Sequence, residues 1–170
     1  MSAAPNTTTI ARCVCGSVEI EAIGAPIVSA VCHCDDCQEG SGQIERLPGA
    51  PPVLDPAGGS AYLLYRKDRM QCSTGAEQLR DHRLKRESKT RRVVATCCNS
   101  AMFLDFEKGH WFSMYRARFA AGAAPPQMRV QTKFAPRSAE LPGDVPSYPG
   151  YPLAFISKLV VSRFAMMLRW

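Results

Sequence analysis

The sequence predicts a mainly β, zinc-bearing domain of antiparallel strands that ends in an amphipathic helix. Three observations predict it. Short β-branched or alternating apolar runs recur between turns rich in proline and glycine. Eight cysteines fall in clusters along the chain, a pattern of metal ligation. Near the end, Ile156, Leu159, Val160, Phe164, Met167 and Leu168 recur at helical spacing, with Lys158, Ser162 and Arg169 mostly on other faces.

A chain of 170 residues is one domain's worth. A domain of that size buries roughly 70% of its unfolded surface and needs no disulfide staples to fold. The formal net charge of +6 admits acidic ligands. It is too mild to point to nucleic acid, which is not favoured as a partner. No run of about 18 uncharged apolar residues predicts a transmembrane segment. Residues 1–9 lack the basic start and apolar core of a secretory signal. That predicts a reducing, cytoplasmic compartment, where clustered thiols act as metal ligands before disulfides.

In order, residues 1–10 read as a flexible tail, 11–134 as the zinc-binding domain, and 135–170 as a proline-rich arm and helix packed on that domain. Cys13-Val14-Cys15-Gly16 needs a turn to aim both thiols at one point, and Gly16 supplies the backbone freedom. Residues 18–23 and 27–31 read as two strands paired as a hairpin, with a thiol group at each outer end. Residues 38–42 read as a loop, and 46–60 as irregular chain broken by proline and glycine. Residues 61–65 and 92–96 are strand candidates, and 78–86 leans the same way. Residues 102–106 and 111–115 flank Glu107-Lys108-Gly109-His110 as a hairpin. Residues 120–127 read as loop and 129–134 as a further strand.

The densest chemistry lies in Cys32-His33-Cys34-Asp35-Asp36-Cys37. Zinc takes soft thiolates in a tetrahedron, and one tight turn offers three of them. A fourth ligand from protein makes such a site structural; an open position makes it chemical. Cys13 and Cys15 read as half of a second site, completed by Cys97 and Cys98 across the sheet. Adjacent cysteines in a strand point apart, so Cys97 either ligates or packs. Cys72 reads as a free packing thiol. His33 should leave the ligand turn on the opposite face, in a supporting or exposed role. Arg80, Arg83, Lys85, Arg86, Lys89, Arg91 and Arg92 crowd one stretch, read as a solvated basic face or as a site for a carboxylate or phosphate.

The order Cys13-x-Cys15-Gly16, then Cys32-His33-Cys34-x-x-Cys37-Gln38, then Ser41-Gly42, then a late cysteine before a short strand, resembles the glutathione-dependent formaldehyde-activating enzyme family. That family also includes centromere-associated relatives. The resemblance covers roughly residues 11–116. It implies a β-tent fold with two zinc ions. One is structural, held by Cys13, Cys15 and Cys98. The other is the reactive one, held by Cys32, Cys34 and Cys37, with a free position near bound glutathione and with Gln38, Ser41 and Gly42 as cofactor-binding positions. The activity implied is that of a carbon–sulfur lyase, adding the glutathione thiol to formaldehyde or cleaving the adduct, in a possible homo-oligomer. The family's late motif is Cys-x-x-Cys-Gly, with a small residue and a proline after it. This chain has Ala95-Thr96-Cys97-Cys98-Asn99-Ser100-Ala101 there. Either Cys97 replaces the missing cysteine or that site keeps three ligands. The alternatives are a zinc-built binding module without chemistry and a thiol redox or metal-handling protein.

Overall fold

A computed structural model describes residues 7–120 and 123–168. In chain order the elements are β1 (Thr8–Arg12), β2 (Glu19–Ile23), β3 (Val28–Cys32), α1 (Asp35–Glu45), β4 (Ser60–Arg66), β5 (Met70–Thr74), β6 (Leu79–His82), β7 (Thr90–Ala95), β8 (Ser100–Phe106), β9 (Trp111–Tyr115), β10 (Met128–Val130) and α2 (Leu153–Met167). The protein is mainly β, as its sequence predicts. Strands β1, β2 and β5 form a small sheet, and the other seven form a larger one in the order β10-β3-β4-β9-β8-β7-β6. All pairings are antiparallel except β10 on β3, which is parallel.

The larger sheet separates two cores, and β4 shows how. Side chains alternate across a strand. Leu63 and Tyr65 therefore enter one core with Val18, Ile20, Met102 and Met114, against the small sheet. Tyr62 and Leu64 enter the other with Ile44 of α1, Val130 of β10 and Phe155 of α2. Fully burying a side chain of the size of Leu63 or Met114 is worth about 1.5–3 kcal/mol. The second core is where the three-cysteine turn lies.

Several expectations are corrected. The expected loop at 38–42 is the middle of α1. Its first turn carries Asp35 and Asp36, which suit the positive end of a helix, and Cys34 is the N-cap in extended backbone. Gly40 is tolerated inside the helix because the Arg92 guanidinium packs where a side chain would go. A Cβ at Gly40 would lie 2.1 Å from Arg92 Cζ. The hairpin expected of residues 18–23 and 27–31 does not form: β2 pairs with β1 and β5, and β3 pairs with β4 and β10. Strand β1 starts at Thr8, inside the stretch read as a tail; residues 1–6 of that tail lie outside the described residues. Strand β5 had no expectation behind it. Of 129–134, only Arg129 and Val130 are strand, in β10, and Thr132–Phe134 is a 3-10 turn. The 102–115 hairpin is present as β8 and β9.

The arm lies along the outer edge of β10. Arg129 N–H donates to Pro146 O at 2.8 Å, Tyr148 N–H donates to Arg129 O at 2.9 Å, and Arg129 pairs with Asp144 at 2.6 Å. Helix α2 follows, but its apolar residues are not docked as a stripe. Phe155 alone is buried, while Leu153 is 87% and Met167 68% exposed. Periodicity says which residues share a face, and here most of that face meets solvent. No helix among the described residues is long and apolar enough to cross a membrane.

Candidate metal centres and the adjoining cavity

The chain gathers seven of its eight cysteines into two clusters, and within each the sulfurs lie within 4.8 Å of one another. The first joins Cys13 and Cys15, on the turn after β1, to Cys97 and Cys98, on the turn between β7 and β8. Gly16 in left-handed backbone (φ +79°) turns the first pair and Asn99 (φ +53°) turns the second. Sulfur–sulfur distances are 3.5 Å for Cys13 and Cys15, 3.8 Å for Cys13 and Cys97, 3.3 Å for Cys15 and Cys97, and 3.8 Å for Cys97 and Cys98. A tetrahedron with Zn–S bonds of about 2.3 Å has sulfurs about 3.8 Å apart. The donor set therefore fits zinc, and Cys97 occupies the corner left empty by Ala95. Val18 N–H donates to Cys13 Sγ at 3.3 Å and steadies it.

The second cluster is Cys32 at the end of β3, Cys34 at the α1 N-cap and Cys37 in the first turn of α1. Cys37 N–H donates to Cys34 O at 3.0 Å, which closes the turn. The Tyr62 hydroxyl donates to Cys37 Sγ at 3.7 Å. Hydrogen bonds from the Cys32 and Cys37 thiols pull Cys34 down to about 3. Cys32 is pushed up to about 11, chiefly by Cys34 beside it, and Cys37 is raised by both neighbours and by burial.

Each cluster faces one buried arginine. Arg92, 1% exposed, lies close enough to Cys34 to favour its thiolate and donates to Asp36 O. Arg118 is buried beside Cys13 and Cys98 and donates to Ser100 Oγ at 3.1 Å. Among the described residues neither has a carboxylate within 4.0 Å, and the Nε of each lacks a partner. A buried cation without a counter-charge is expensive. Thiolates around zinc carry net negative charge, so each arginine fits a filled site better than a pair of neutral thiol clusters.

The three-cysteine cluster also forms one wall of a cavity of about 390 Å³. The sheet face of β4, β8 and β9 makes its floor, and Tyr151, Phe155, Ile156 and Leu159 close its outer side. Desolvation raises the Tyr151 pKa above the usual phenol value, and the three cysteines push it the same way. Tyr151 is half-exposed, and its ring lies tilted against Phe155 with centroids 5.1 Å apart.

The other expected site residues face elsewhere. Gln38 spends its amide on His33 O at 2.6 Å and Phe134 O at 2.9 Å. Ser41 is buried between Ser60 Oγ at 2.8 Å and Tyr115 hydroxyl at 3.0 Å. Gly42 lies along α1 near Leu54. None of the three lines the cavity. His33 does leave the ligand turn on the opposite side, but it is fully buried beside Val31, Asp55 and Gly59, with no partner for either ring nitrogen among the described residues. Burial depresses its pKa. The basic stretch divides: Arg91 pairs with Asp81 at 2.9 Å and Asp105 at 3.0 Å, Arg83 pairs with Asp81 and Glu107, and Arg92 alone turns inward to the cavity. Cys72 belongs to neither cluster. Tyr151 and Phe155 carried no sequence signal, because their neighbourhood reads only as arm and helix. Arg92 was visible in the basic run but not distinguishable from its neighbours.

Two compact thiol clusters on a mainly β frame, one closed and one opening on a cavity, define a cysteine-rich protein able to bind metal ions. Comparison with known proteins narrows the class. Residues 8–50 match the family described as glutathione-dependent formaldehyde-activating enzyme, which supports the resemblance carried by the cysteines. The matched stretch holds Cys13, Cys15, Cys32, Cys34 and Cys37. No curated protein matches the chain. Among solved structures, a Rhodobacter sphaeroides protein is similar at 17% identity and a TM-score of 0.49, over 81% of this chain and 98% of that one.

Proposed function

We propose that the protein is a zinc-dependent carbon–sulfur lyase acting on the adduct of glutathione with an aldehyde, with chemistry at Cys32, Cys34 and Cys37 and a structural zinc at Cys13, Cys15, Cys97 and Cys98. The observation that carries this reading is that three convergent sulfurs form the wall of a cavity instead of being wrapped by protein. Zinc bound there supplies the charge that keeps a thiol ionised near neutral pH. The chain's own groups do the rest. Arg92 balances the negative charge of the three cysteine thiolates. Tyr151 lines the same cavity as the three cysteines, and its hydroxyl is the group we assign to give a proton to a carbonyl oxygen as sulfur adds to carbon, and to take it back in the reverse direction. The apolar sheet face and Phe155 exclude water, which strengthens these interactions.

The test is metal content per chain in wild type and Cys34→Ser, with glutathione titrated into each. Two zinc ions falling to one, with loss of glutathione binding, is the expected result. Tight glutathione binding by metal-free protein would overturn the reading and leave a binding module without thiol chemistry.

A further inference from the structure

The cavity is larger and more apolar than formaldehyde requires. Its volume of about 390 Å³ is in the range of small-molecule sites. A dry apolar cavity of about 150 Å³ already holds benzene. Leu64, Leu104, Phe106, Trp111, Phe155 and Leu159 are among its lining, and it carries one cation, Arg92, and one carboxylate residue, Asp36. Glutathione has two carboxylates and an ammonium group, whereas the cavity's one cation, Arg92, already faces the Cys34 thiolate, so the tripeptide body finds too few complementary charges inside. Formaldehyde has no substituent on its carbonyl carbon, so it would leave the volume empty. Unfilled apolar volume costs a fold the contacts its lining forgoes. Here that volume adjoins the sulfurs directly.

We propose that the cavity takes an apolar group borne by the carbonyl carbon, so that the substrate is the thiol adduct of a bulky apolar aldehyde and not of formaldehyde. This rests on the reading of the site as a carbon–sulfur lyase. Tyr151, half-exposed on the outer side, marks where the cavity borders solvent, so the polar tripeptide would stay in water there while the apolar group points inward. In the step itself a sulfur lone pair forms the C–S bond, the carbonyl π pair moves to oxygen, and oxygen takes the proton the thiol gave up. Cleavage reverses each movement, and no oxidant or reductant is consumed.

Stable thioethers separate binding from turnover. S-methylglutathione and S-hexylglutathione are titrated into the zinc-loaded protein in a Trp170→Phe background, where Trp111, on the cavity wall, is the remaining tryptophan. Each buried methylene should tighten binding about fourfold. The hexyl compound should therefore bind at least about 100-fold more tightly than the methyl one and shift Trp111 emission to the blue. Ser113→Leu, which fills the floor, should erase most of that preference. The wild-type comparison decides the matter even if this variant does not fold. Equal affinities for the two thioethers would overturn the inference and leave the lyase reading standing. No binding of either would overturn both. Preference for the hexyl compound without turnover of any glutathione–aldehyde adduct would support the apolar site and sink the lyase.

Discussion

Around Cys13, Cys15, Cys97 and Cys98 the sulfurs close on one another at the surface, with Cys15 and Cys97 exposed. Around Cys32, Cys34 and Cys37 they turn inward and line a cavity. The ligands also differ in reach. Cys15 and Cys97 are 82 residues apart, so the closed cluster ties a long loop, whereas the open one lies within a single turn. Loop closure has an entropic cost that only a long-range cross-link offsets. The closed cluster is therefore placed to hold the fold, and the open one adds little to it while offering a reactive face. Both keep a buried arginine, so the counter-charge is common to them and access is what separates them.

The largest effect should come from exchanging one ligand in each. Cys13→Ala should unfold the domain or lower its melting temperature severely, since structural zinc contributes on the order of 10 kcal/mol to folding. Cys34→Ser should lose one zinc and keep the fold. Thermal melts with metal analysis compare the two, and equal damage would erase the distinction. Next come the arginines. Arg92→Met should weaken zinc at the open cluster about 10- to 100-fold and spare the closed one, with Arg118→Met doing the reverse, as measured by competition with a chromophoric chelator. If either change weakens both sites alike, the one-arginine-per-cluster account is wrong.

His33 gives a smaller, pH-dependent effect. Burial holds its folded-state pKa below the ordinary value of about 6.5. The unfolded chain therefore takes up the proton first, and the stability of the neutral buried form, complete above about pH 6.5, is lost as pH falls from there toward the depressed value. His33→Leu should flatten this acid slope in melting temperature. It should cost little at pH 7, because the ring's polar contact with the Ala57 backbone falls short of hydrogen-bond geometry. A large loss at pH 7 would give His33 a role in the metal turn that its contacts do not show. Smallest of all, Cys72→Ser should change stability by under about 0.5 kcal/mol and leave both metals in place.

The thiol clusters were legible because ligand spacing is local and chemically unusual, and the β8–β9 hairpin because Gly109 interrupts two apolar runs. Helix α1 was not, since two glycines and a ligand turn look like loop. What permits Gly40 there is Arg92, 52 positions away in sequence and invisible to any window. Strand β5 is largely exposed, and its apolar alternation is only two residues long, Met70 and Cys72. The pairing of β2 and β3 with different sheets is a long-range choice that their short connection conceals. The cavity could not be read at all, because its outer side comes from residues 151–159 and its sulfurs from 32–37.

The parallel pairing of β10 on β3 sets a clock on biosynthesis. Val130 lies opposite Cys32, and His33 N–H donates to Val130 O at 3.1 Å. The edge beside the open cluster thus stays bare until residue 130 has cleared the ribosome, long after its three cysteines have emerged. The nascent chain must carry those thiols through most of translation with one flank of their strand unpaired.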